Sequence, residues 1–258
     1  MTTQQDHAAA FHDLHVKGNP LVLFNIWDIS TATAVAKAGA KALATGSQSV
    51  AGAFGYDDGE KIPMELMLDH VRRIVTSSEL PVTMDFEGAY ARDPDIIAKN
   101  TREALSTGVI GFNFEDQIVG TSELYTISEQ IARIAAMRGA CNAVGVHAFI
   151  NVRTDIFLKA PRDSHDSAML EQALIRAKAY QDAGASGFFA PGLIDLDFIT
   201  QLCANCALPV NVMALPGAPD NTALSTAGVA RISHGPIPWI KAMAFIEECA
   251  REAMKTAV

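Results

Sequence analysis

The chain of 258 residues is 49% hydrophobic and 19% charged, and it carries a formal net charge of −9 with a pI near 5.2. This composition predicts a large buried core and excludes an intrinsically disordered chain, while the acidic balance argues against a nucleic-acid partner. No apolar run approaches the roughly 18–20 residues that cross a bilayer, and the N-terminus lacks the features of a secretion signal. We expect a cytoplasmic protein without membrane or nucleic-acid partners.

Short apolar segments alternate with helical patterns after a polar N-terminal helix, whose histidines we expect to be solvated. The predicted strands cover residues 20–27, 41–45, 81–84, 111–114, 148–154, 187–191, 209–215 and 229–233. The helices that follow them are predicted at 30–38, 64–77, 94–107, 128–138, 167–183, 196–204, 222–227 and 238–255, with a loop of small residues at 46–60. Eight strand–helix units in about 250 residues predict the α/β class and a (β/α)8 TIM-type barrel, formed as a single domain by residues 1–258.

Acidic residues gather at the carboxyl ends of the third and fourth predicted strands. Asp85 and Glu87 follow the third strand, and Glu115 and Asp116 end the fourth. Carboxylates at one edge of a sheet repel one another unless a cation or an arginine lies among them. Oxygen ligands without a histidine pair indicate Mg²⁺, or Mn²⁺, rather than zinc. The sequence therefore predicts a divalent-cation site here, with Asp116 more suited to bracing the barrel.

Positive charge and backbone donors are predicted at the same edge. Arg153 ends the fifth strand, and its guanidinium suits bidentate binding of a substrate carboxylate. The turn at Thr45, Gly46 and Ser47 offers backbone N–H groups for another part of the same anion. A structural interpretation is open for each: Arg153 could pair with a neighbouring acid, and the turn residues could serve the turn alone.

Four segments in this order, TGSQSVAGAFGYDD, DFEGAY, GFNFEDQ and NVRTD, resemble motifs of the isocitrate lyase/phosphoenolpyruvate mutase superfamily. The resemblance covers roughly residues 20 to 250 and is strongest to short members related to 2-methylisocitrate lyase and carboxyphosphonoenolpyruvate phosphonomutase. It implies a barrel that binds Mg²⁺ and makes or breaks C–C or P–C bonds beside a 2-oxo acid, through a metal-stabilised enolate. It also implies a homodimer or homotetramer that exchanges the helix at 238–255 between subunits.

The resemblance assigns roles to individual residues. The implied metal site has Asp85 as principal ligand and an acidic shell, acting largely through water, of Asp58, Glu87 and Glu115. The implied substrate-binding residues are Thr45, Gly46, Ser47, Asp85, Arg153 and Asn211, and the implied catalytic residues are Asp58, Glu115 and Arg153. Asp58 could instead be a solvated loop residue, and Glu87 could cap a helix or pair with Arg92.

The stretch after the fourth strand, QIVGTSELYTISE, departs from the family pattern. It lacks the Cys, Lys and His of the lyase loop and the Lys and Asn of the mutase loop. Water or a loop tyrosine, Tyr56 or Tyr125, would then protonate a carbanion. We expect a Mg²⁺-dependent lyase that cleaves a C–C bond in a small 2-oxo or 2-hydroxy di- or tricarboxylic acid, resembling oxaloacetate decarboxylase or isocitrate lyase. The alternatives are a P–C mutase or hydrolase on a phosphonopyruvate-like acid, and a 2-oxo-acid-binding paralogue with little turnover.

Overall fold

The computed structural model describes residues 3–255 and shows a parallel β-barrel surrounded by helices. The strands are β1 (Leu21–Leu23), β2 (Leu43–Ala44), β3 (Val82–Asp85), β4 (Gly111–Glu115), β5 (Phe149–Arg153), β6 (Gly187–Phe189), β7 (Val210–Met213) and β8 (Arg231–Ser233). The helices are α1 (Gln4–Asp13), α2 (Ile29–Lys37), α3 (Ser47–Ala53), α4 (Met64–Thr76), α5 (Pro94–Leu105), α6 (Ile127–Val144), α7 (Ile156–Lys159), α8 (Ser167–Asp182), α9 (Leu196–Asn205), α10 (Asn221–Thr226) and α11 (Ile237–Lys255), with a 3-10 turn at Arg162–Ser164.

The eight strands run side by side in the order β1-β8-β7-β6-β5-β4-β3-β2, and all neighbouring pairs are parallel. The seam between β1 and β2 is closed just beyond β1, where Ile26 forms a parallel bridge with Thr45. The Ile26 N–H donates to the Ala44 carbonyl at 2.9 Å, and the Gly46 N–H donates to the Ile26 carbonyl at 3.3 Å. The predicted (β/α)8 barrel is confirmed.

Several strands direct polar side chains into the barrel, whereas their outward faces pack with the helices in the apolar core. On β4, for example, Phe112 and Phe114 are fully buried among apolar neighbours. Between them, Asn113 accepts through Oδ1 from Asn151 Nδ2 at 2.9 Å and from Arg231 Nη2 at 3.1 Å. Because Arg231 lies on β8, across the barrel from β4, these side chains can meet only through the interior. Alternation along β4 therefore separates a polar side chain inside the barrel from apolar side chains outside it.

The N-terminal helix α1 packs near the start of β5, at the end of the barrel away from the acidic residues. Phe11 is fully buried, and its ring meets the edge of the Phe149 ring at a centroid distance of 5.6 Å. Just beyond α1, the ring of His15 stacks on Phe149 at 3.9 Å and bonds through Nδ1 to the Phe11 carbonyl at 2.7 Å. Burial lowers the pKa of His15 to about 3. The prediction that the histidines of this segment are solvated is therefore wrong for His15.

Two local predictions differ from the structure. The loop of small residues predicted at 46–60 contains helix α3, which is stabilised by burial of Ser49, Val50 and Ala51 rather than by strong helix propensity. The helix predicted at 128–138 continues as α6 to Val144, where Gly145 ends it in the left-handed conformation at φ 79°.

The last helix, α11, follows β8 and has little contact with the barrel. Pro238 is its only buried residue among those described. Ile240, Phe245 and Ile246 are 47%, 66% and 57% exposed. Within residues 3–255, no helix combines the length and the apolar character required to span a membrane.

Replacement of Phe11 tests the packing of α1. We expect Phe11→Ala to lower the free energy of unfolding by about 3–5 kcal/mol, because a buried aromatic ring is lost and a cavity remains. Urea denaturation at one protein concentration measures this loss. The control Ile175→Ala, at a side chain that is 46% exposed on α8, should cost less than about 1 kcal/mol. Equal losses for the two variants would contradict the packing role of α1.

Candidate active site

Asp85 ends β3 at the carboxyl edge of the barrel, between the start of α3 and the centre of the opening. Its backbone N–H donates to the Thr45 hydroxyl at 3.1 Å, and its Oδ2 accepts from the Ser47 N–H at 3.3 Å. The other oxygen, Oδ1, is buried and has no hydrogen-bond partner. Because a buried carboxylate oxygen without a partner is costly, this atom marks a place where a positive group would be stabilising.

Arg153, at the end of β5, lies between two carboxylates. Its Nη1 is 3.0 Å from Oε2 of Glu115, and its Nε and Nη2 are 2.5 Å and 2.8 Å from the two oxygens of Asp155. Burial opposes the charge on Arg153, yet these two acids raise its pKa above the usual range. The predicted pairing of Arg153 with Asp155 is therefore observed. Three of the five guanidinium donors are engaged, which leaves two for a ligand.

A buried network fixes Asp155 from behind, and Asp116 is at its centre. The carboxylate of Asp116 accepts from the Asp155 N–H at 3.0 Å, from the Tyr180 hydroxyl at 2.8 Å and from Arg176 Nη1 at 3.1 Å. The bracing role predicted for Asp116 is confirmed. Sequence reasoning missed Arg176 and Tyr180, whose only signal was their i, i+4 spacing on one face of α8.

Glu87 and Asp58 approach the same edge from loops. Glu87 has a left-handed backbone at φ 49°, as do Ala89 and Tyr90 in the same loop, and such non-glycine conformations cluster at functional sites. Its Oε2 accepts from the backbone N–H of Glu60 at 3.1 Å. Asp58 is exposed at the mouth of the site. Glu60, a further acid that sequence reasoning missed, accepts from the Tyr90 N–H at 2.7 Å.

These acids raise one another's pKa values. Burial, followed by repulsion from Asp85 and Asp58, raises the pKa of Glu87 to about 9. Burial also raises the pKa of Glu115 to about 8 against the opposing effect of Arg153, and it raises the pKa of Asp85. Burial and mutual repulsion therefore favour the protonated forms of these acids, and a bound cation would favour the ionised forms.

The donor set fits a hard divalent cation that keeps much of its water. Within residues 3–255, no three His, Cys, Asp or Glu side chains are close enough to ligate one ion directly. Mg²⁺ commonly uses one or two carboxylates and several waters, so one direct bond from Asp85 Oδ1 is compatible with this geometry. The implied set of Asp85, Asp58, Glu87 and Glu115 stays a prediction in which water separates most of these acids from the ion.

A cavity of about 250 Å³ opens beside Asp85 and Arg153. Gly46 and Ser47 line it, whereas the Thr45 hydroxyl is used by Asp85. The N–H groups of Gly46 and Ser47 donate within the protein, to Ile26 and to Asp85 respectively. Both N–H groups are therefore already used within the protein, and their predicted role in holding a substrate anion stays a prediction.

The remaining predicted substrate residue, Asn211, lies within the barrel. It is buried on β7, where its Nδ2 donates to the Ser233 hydroxyl at 3.1 Å. On the same face of β7, the side chain that lines the cavity is Met213. Substrate contact by Asn211 stays a prediction.

Neither candidate tyrosine lines the cavity. Tyr56 is 38% exposed, and Tyr125 is buried with the guanidinium of Arg133 stacked 3.8 Å from its ring centroid. The structure therefore does not support Tyr56 or Tyr125 as the side chain that protonates a carbanion in this cavity.

A protein-family model for phosphoenolpyruvate phosphomutase matches residues 11–254. The chain belongs to the phosphoenolpyruvate phosphomutase family. It is 33% identical over 230 residues to an uncharacterized protein of Mycobacterium tuberculosis, covering 89% of this chain and 83% of that protein. A candidate phosphonomutase from Burkholderia cenocepacia J2315 has a crystal structure with 45% identity and a TM-score of 0.94, covering 97% of this chain and 99% of that one. An oxaloacetate decarboxylase of Pseudomonas entomophila is 22% identical over 259 residues, covering 96% of this chain and 85% of that protein.

The resemblance to the isocitrate lyase/phosphoenolpyruvate mutase superfamily is therefore confirmed. Relatives of this phosphoenolpyruvate phosphomutase family member are named both as C–C lyases and as phosphonomutases. Membership of this family supports an enzyme with lyase or mutase activity, and it does not determine the specific reaction.

The raised pKa values predict a pH-dependent stability for the metal-free protein. Because folded Glu87 has a pKa of about 9 against an ordinary value of 4.5, the folded state binds more protons than the unfolded state between these pH values. Stability in EDTA should therefore fall as the pH rises from 6 to 9, by at most about 1.4 kcal/mol per pH unit for each such group. Chemical denaturation across this pH range measures the slope.

Two comparisons test whether Glu87 causes this pH dependence. Glu87→Gln should reduce the slope, whereas Glu171→Gln, at an exposed position of α8, should leave it unchanged. Added Mg²⁺ should stabilise the protein more at pH 9 than at pH 6, because carboxylates bind metal in the ionised form. A flat profile in EDTA would show that burial and repulsion do not raise the pKa values of these acids in the folded protein.

Proposed function

We propose that this protein is a Mg²⁺-dependent lyase that cleaves a C–C bond in a small 2-oxo or 2-hydroxy di- or tricarboxylic acid, as oxaloacetate decarboxylases or isocitrate lyases do. The observation that carries the proposal is the unpartnered, buried Oδ1 of Asp85 beside a cavity that also exposes Arg153. A cation at Asp85 and the free donors of Arg153 would bind the two oxygen-bearing ends of a 2-oxo acid head group.

Three side chains of the protein would have separate roles around that head group. Asp85 would hold Mg²⁺, which when bound supplies Lewis-acid stabilisation of negative charge that develops on the 2-oxo oxygen. Arg153, fixed by Glu115 and Asp155, would orient the substrate carboxylate. Asp58, at the mouth, would help to hold the water around the ion.

Decarboxylation agrees best with the absence of a basic side chain on the loop after β4. Loss of CO₂ leaves the bonding electron pair on the carbon next to the 2-oxo group, so no side chain has to remove a proton from carbon. Protonation of that carbon then completes the reaction, and water in the cavity can supply the proton. An oxaloacetate-type reaction is therefore the simplest member of the proposed class.

A second candidate is P–C chemistry on a phosphonopyruvate-like acid, which the 45% identity to the candidate phosphonomutase favours. A phosphonyl dianion would require positive charge beyond that used for the carboxylate. The charge of Arg153 is already outweighed by Glu115 and Asp155. We therefore rank this reaction below C–C cleavage. A paralogue that binds 2-oxo acids with little turnover is the third reading.

We also propose that the protein is a homodimer or homotetramer in which α11 packs on a neighbouring subunit. A groove of about 780 Å³ lies between β1 and α2, and its lining includes Pro20, Val22, Phe24 and Val35. Since β1 is next to β8 in the barrel, this is where a helix that follows β8 would be expected to pack. The exposed apolar face of α11 and this uncovered groove are complementary in character.

Asp85→Ala tests the proposed reaction. With Mg²⁺ and oxaloacetate, or with isocitrate, we expect product formation by the wild-type protein and a loss of at least about a hundredfold in kcat/KM for the variant. Pyruvate or glyoxylate is measured by coupled reduction. The control Asp182→Asn removes an exposed carboxylate that pairs with Lys178 and should retain activity. Wild-type binding of 2-oxo acids without turnover would favour the paralogue reading, and turnover of phosphonopyruvate alone would favour P–C chemistry.

Substitutions that introduce negative charge on α11 test the proposed assembly. The double variant with Phe245→Glu and Ile246→Glu should be monomeric by light scattering at concentrations where the wild-type protein is a dimer or tetramer, because two carboxylates would have to be buried in the groove. Ile175→Glu, on the outer face of α8, is the matched control and should not change the mass. A monomeric wild-type protein would rule out the exchange of α11.

A further inference from the structure

The cavity beside Asp85 has two chemically different halves. The half formed from β2 to β5 carries Ser47, Asp85 and Arg153, together with Asp58 at the mouth. The half formed by β6, β7 and the segments after β5 and β8 is lined by Leu158, Phe189, Pro191, Met213, Leu215 and Pro236. The proposed function uses only the first half, so the second must face the rest of the substrate.

The apolar half is built into the fold and is not an incidental surface. Phe189 and Met213 end β6 and β7 and are only 5% and 8% exposed. A Cβ on Gly235 would lie 2.5 Å from the Sδ of Met213, and one on Gly192 would lie 2.8 Å from the backbone nitrogen of Leu158. These close approaches place the loops after β6 and β8 directly against the apolar wall.

No cation among the described cavity-lining residues is free to face this half, and Arg231, which contacts Asn113 and Ser233, does not itself line the cavity. Among the described residues that line the cavity, Arg153 is the only lysine, arginine or histidine. Its guanidinium already contacts Glu115 and Asp155, and its remaining donors are those assigned to the head-group carboxylate. A charged group on the far part of a substrate would therefore lose its water without gaining a partner.

We propose, on the basis of the function proposed above, that the substrate carries an uncharged alkyl substituent in this apolar half. The substrate class is then a 2-oxo or 2-hydroxy acid with no ionised group beyond the head group and the group that it loses. This narrows the function proposed above, because tricarboxylic acids of the isocitrate type should then be poorer substrates than oxaloacetate-type acids. Phe189, Met213 and Leu215 determine this specificity, and Asp85 and Arg153 serve the head group common to all such acids.

A matched pair of 2-oxo acids tests the proposal by binding alone. 2-Oxopentanoate and 2-oxoglutarate share the head group and chain length but end in a methyl group and a carboxylate respectively. Isothermal titration calorimetry at saturating Mg²⁺ should give a dissociation constant at least about tenfold lower for 2-oxopentanoate. Pyruvate, which has the head group alone, should bind more weakly than 2-oxopentanoate by up to about fourfold for each added methylene.

Charge introduced into the wall should reverse this preference. Leu215→Arg is expected to bind 2-oxoglutarate more tightly than 2-oxopentanoate, and Leu158→Arg, at a side chain that is 41% exposed, repeats the test should the first variant not fold. Ile175→Arg adds the same charge on α8, outside the cavity, and should retain the wild-type ratio.

The outcomes separate the two proposals. Equal or tighter binding of 2-oxoglutarate by the wild-type protein, with pyruvate still bound, would overturn the alkyl-substituent inference and leave the proposed function intact. If the protein showed no Mg²⁺-dependent binding of pyruvate, oxalate or either longer acid, the proposed function would be overturned. The alkyl-substituent inference, which rests on that function, would then be overturned as well.

Discussion

The site depends on the compensation of negative charge at the carboxyl edge of the barrel. Glu115 and Asp155 both contact Arg153, so one positive charge serves two carboxylates before Asp85 and Glu87 are considered. Burial, followed by repulsion from neighbouring acids, raises the pKa of Glu87 to about 9, and burial raises the pKa of Glu115 to about 8 against the effect of Arg153. A further cation at this edge would stabilise the ionised carboxylates, which is the physical basis of the proposed metal binding.

A second positive charge lies deeper, in the polar interior of the barrel. Arg231 is fully buried, and its Nε and Nη2 contact the Ser233 hydroxyl and Asn113 Oδ1 rather than a carboxylate. Burial lowers its pKa to about 9, with Asp85 acting in the opposite direction. The interior cation and the acids at the edge therefore belong to one electrostatic unit, in which long-range attraction replaces a direct ion pair.

Much of the barrel and of the candidate site could be predicted from the sequence, because the alternation of strand and helix patterns is a local signal. These patterns placed Asp85, Glu115 and Arg153 at one edge; in the structure Asp85 and Arg153 line one cavity, and Glu115 contacts Arg153. The contact between Arg231 and Asn113 joins residues 118 positions apart, and no local pattern indicates it. Helix α3 was missed since its serines and Gly52 have weak helix propensity. The burial of His15 depends on its stacking on Phe149, far along the chain.

The left-handed loop that carries Glu87 has a consequence for how the site can fail. Conformations such as those of Ala89 and Tyr90 cost of order 1–3 kcal/mol each, so the loop persists only because other elements clamp it. Asn100 on α5 donates to the Ala89 carbonyl at 2.8 Å, and Arg133 on α6 donates to the Gly88 carbonyl at 3.0 Å. Replacement of either Asn100 or Arg133 would let the loop relax and move the Glu87 carboxylate away from the acidic edge, although neither residue lines the cavity.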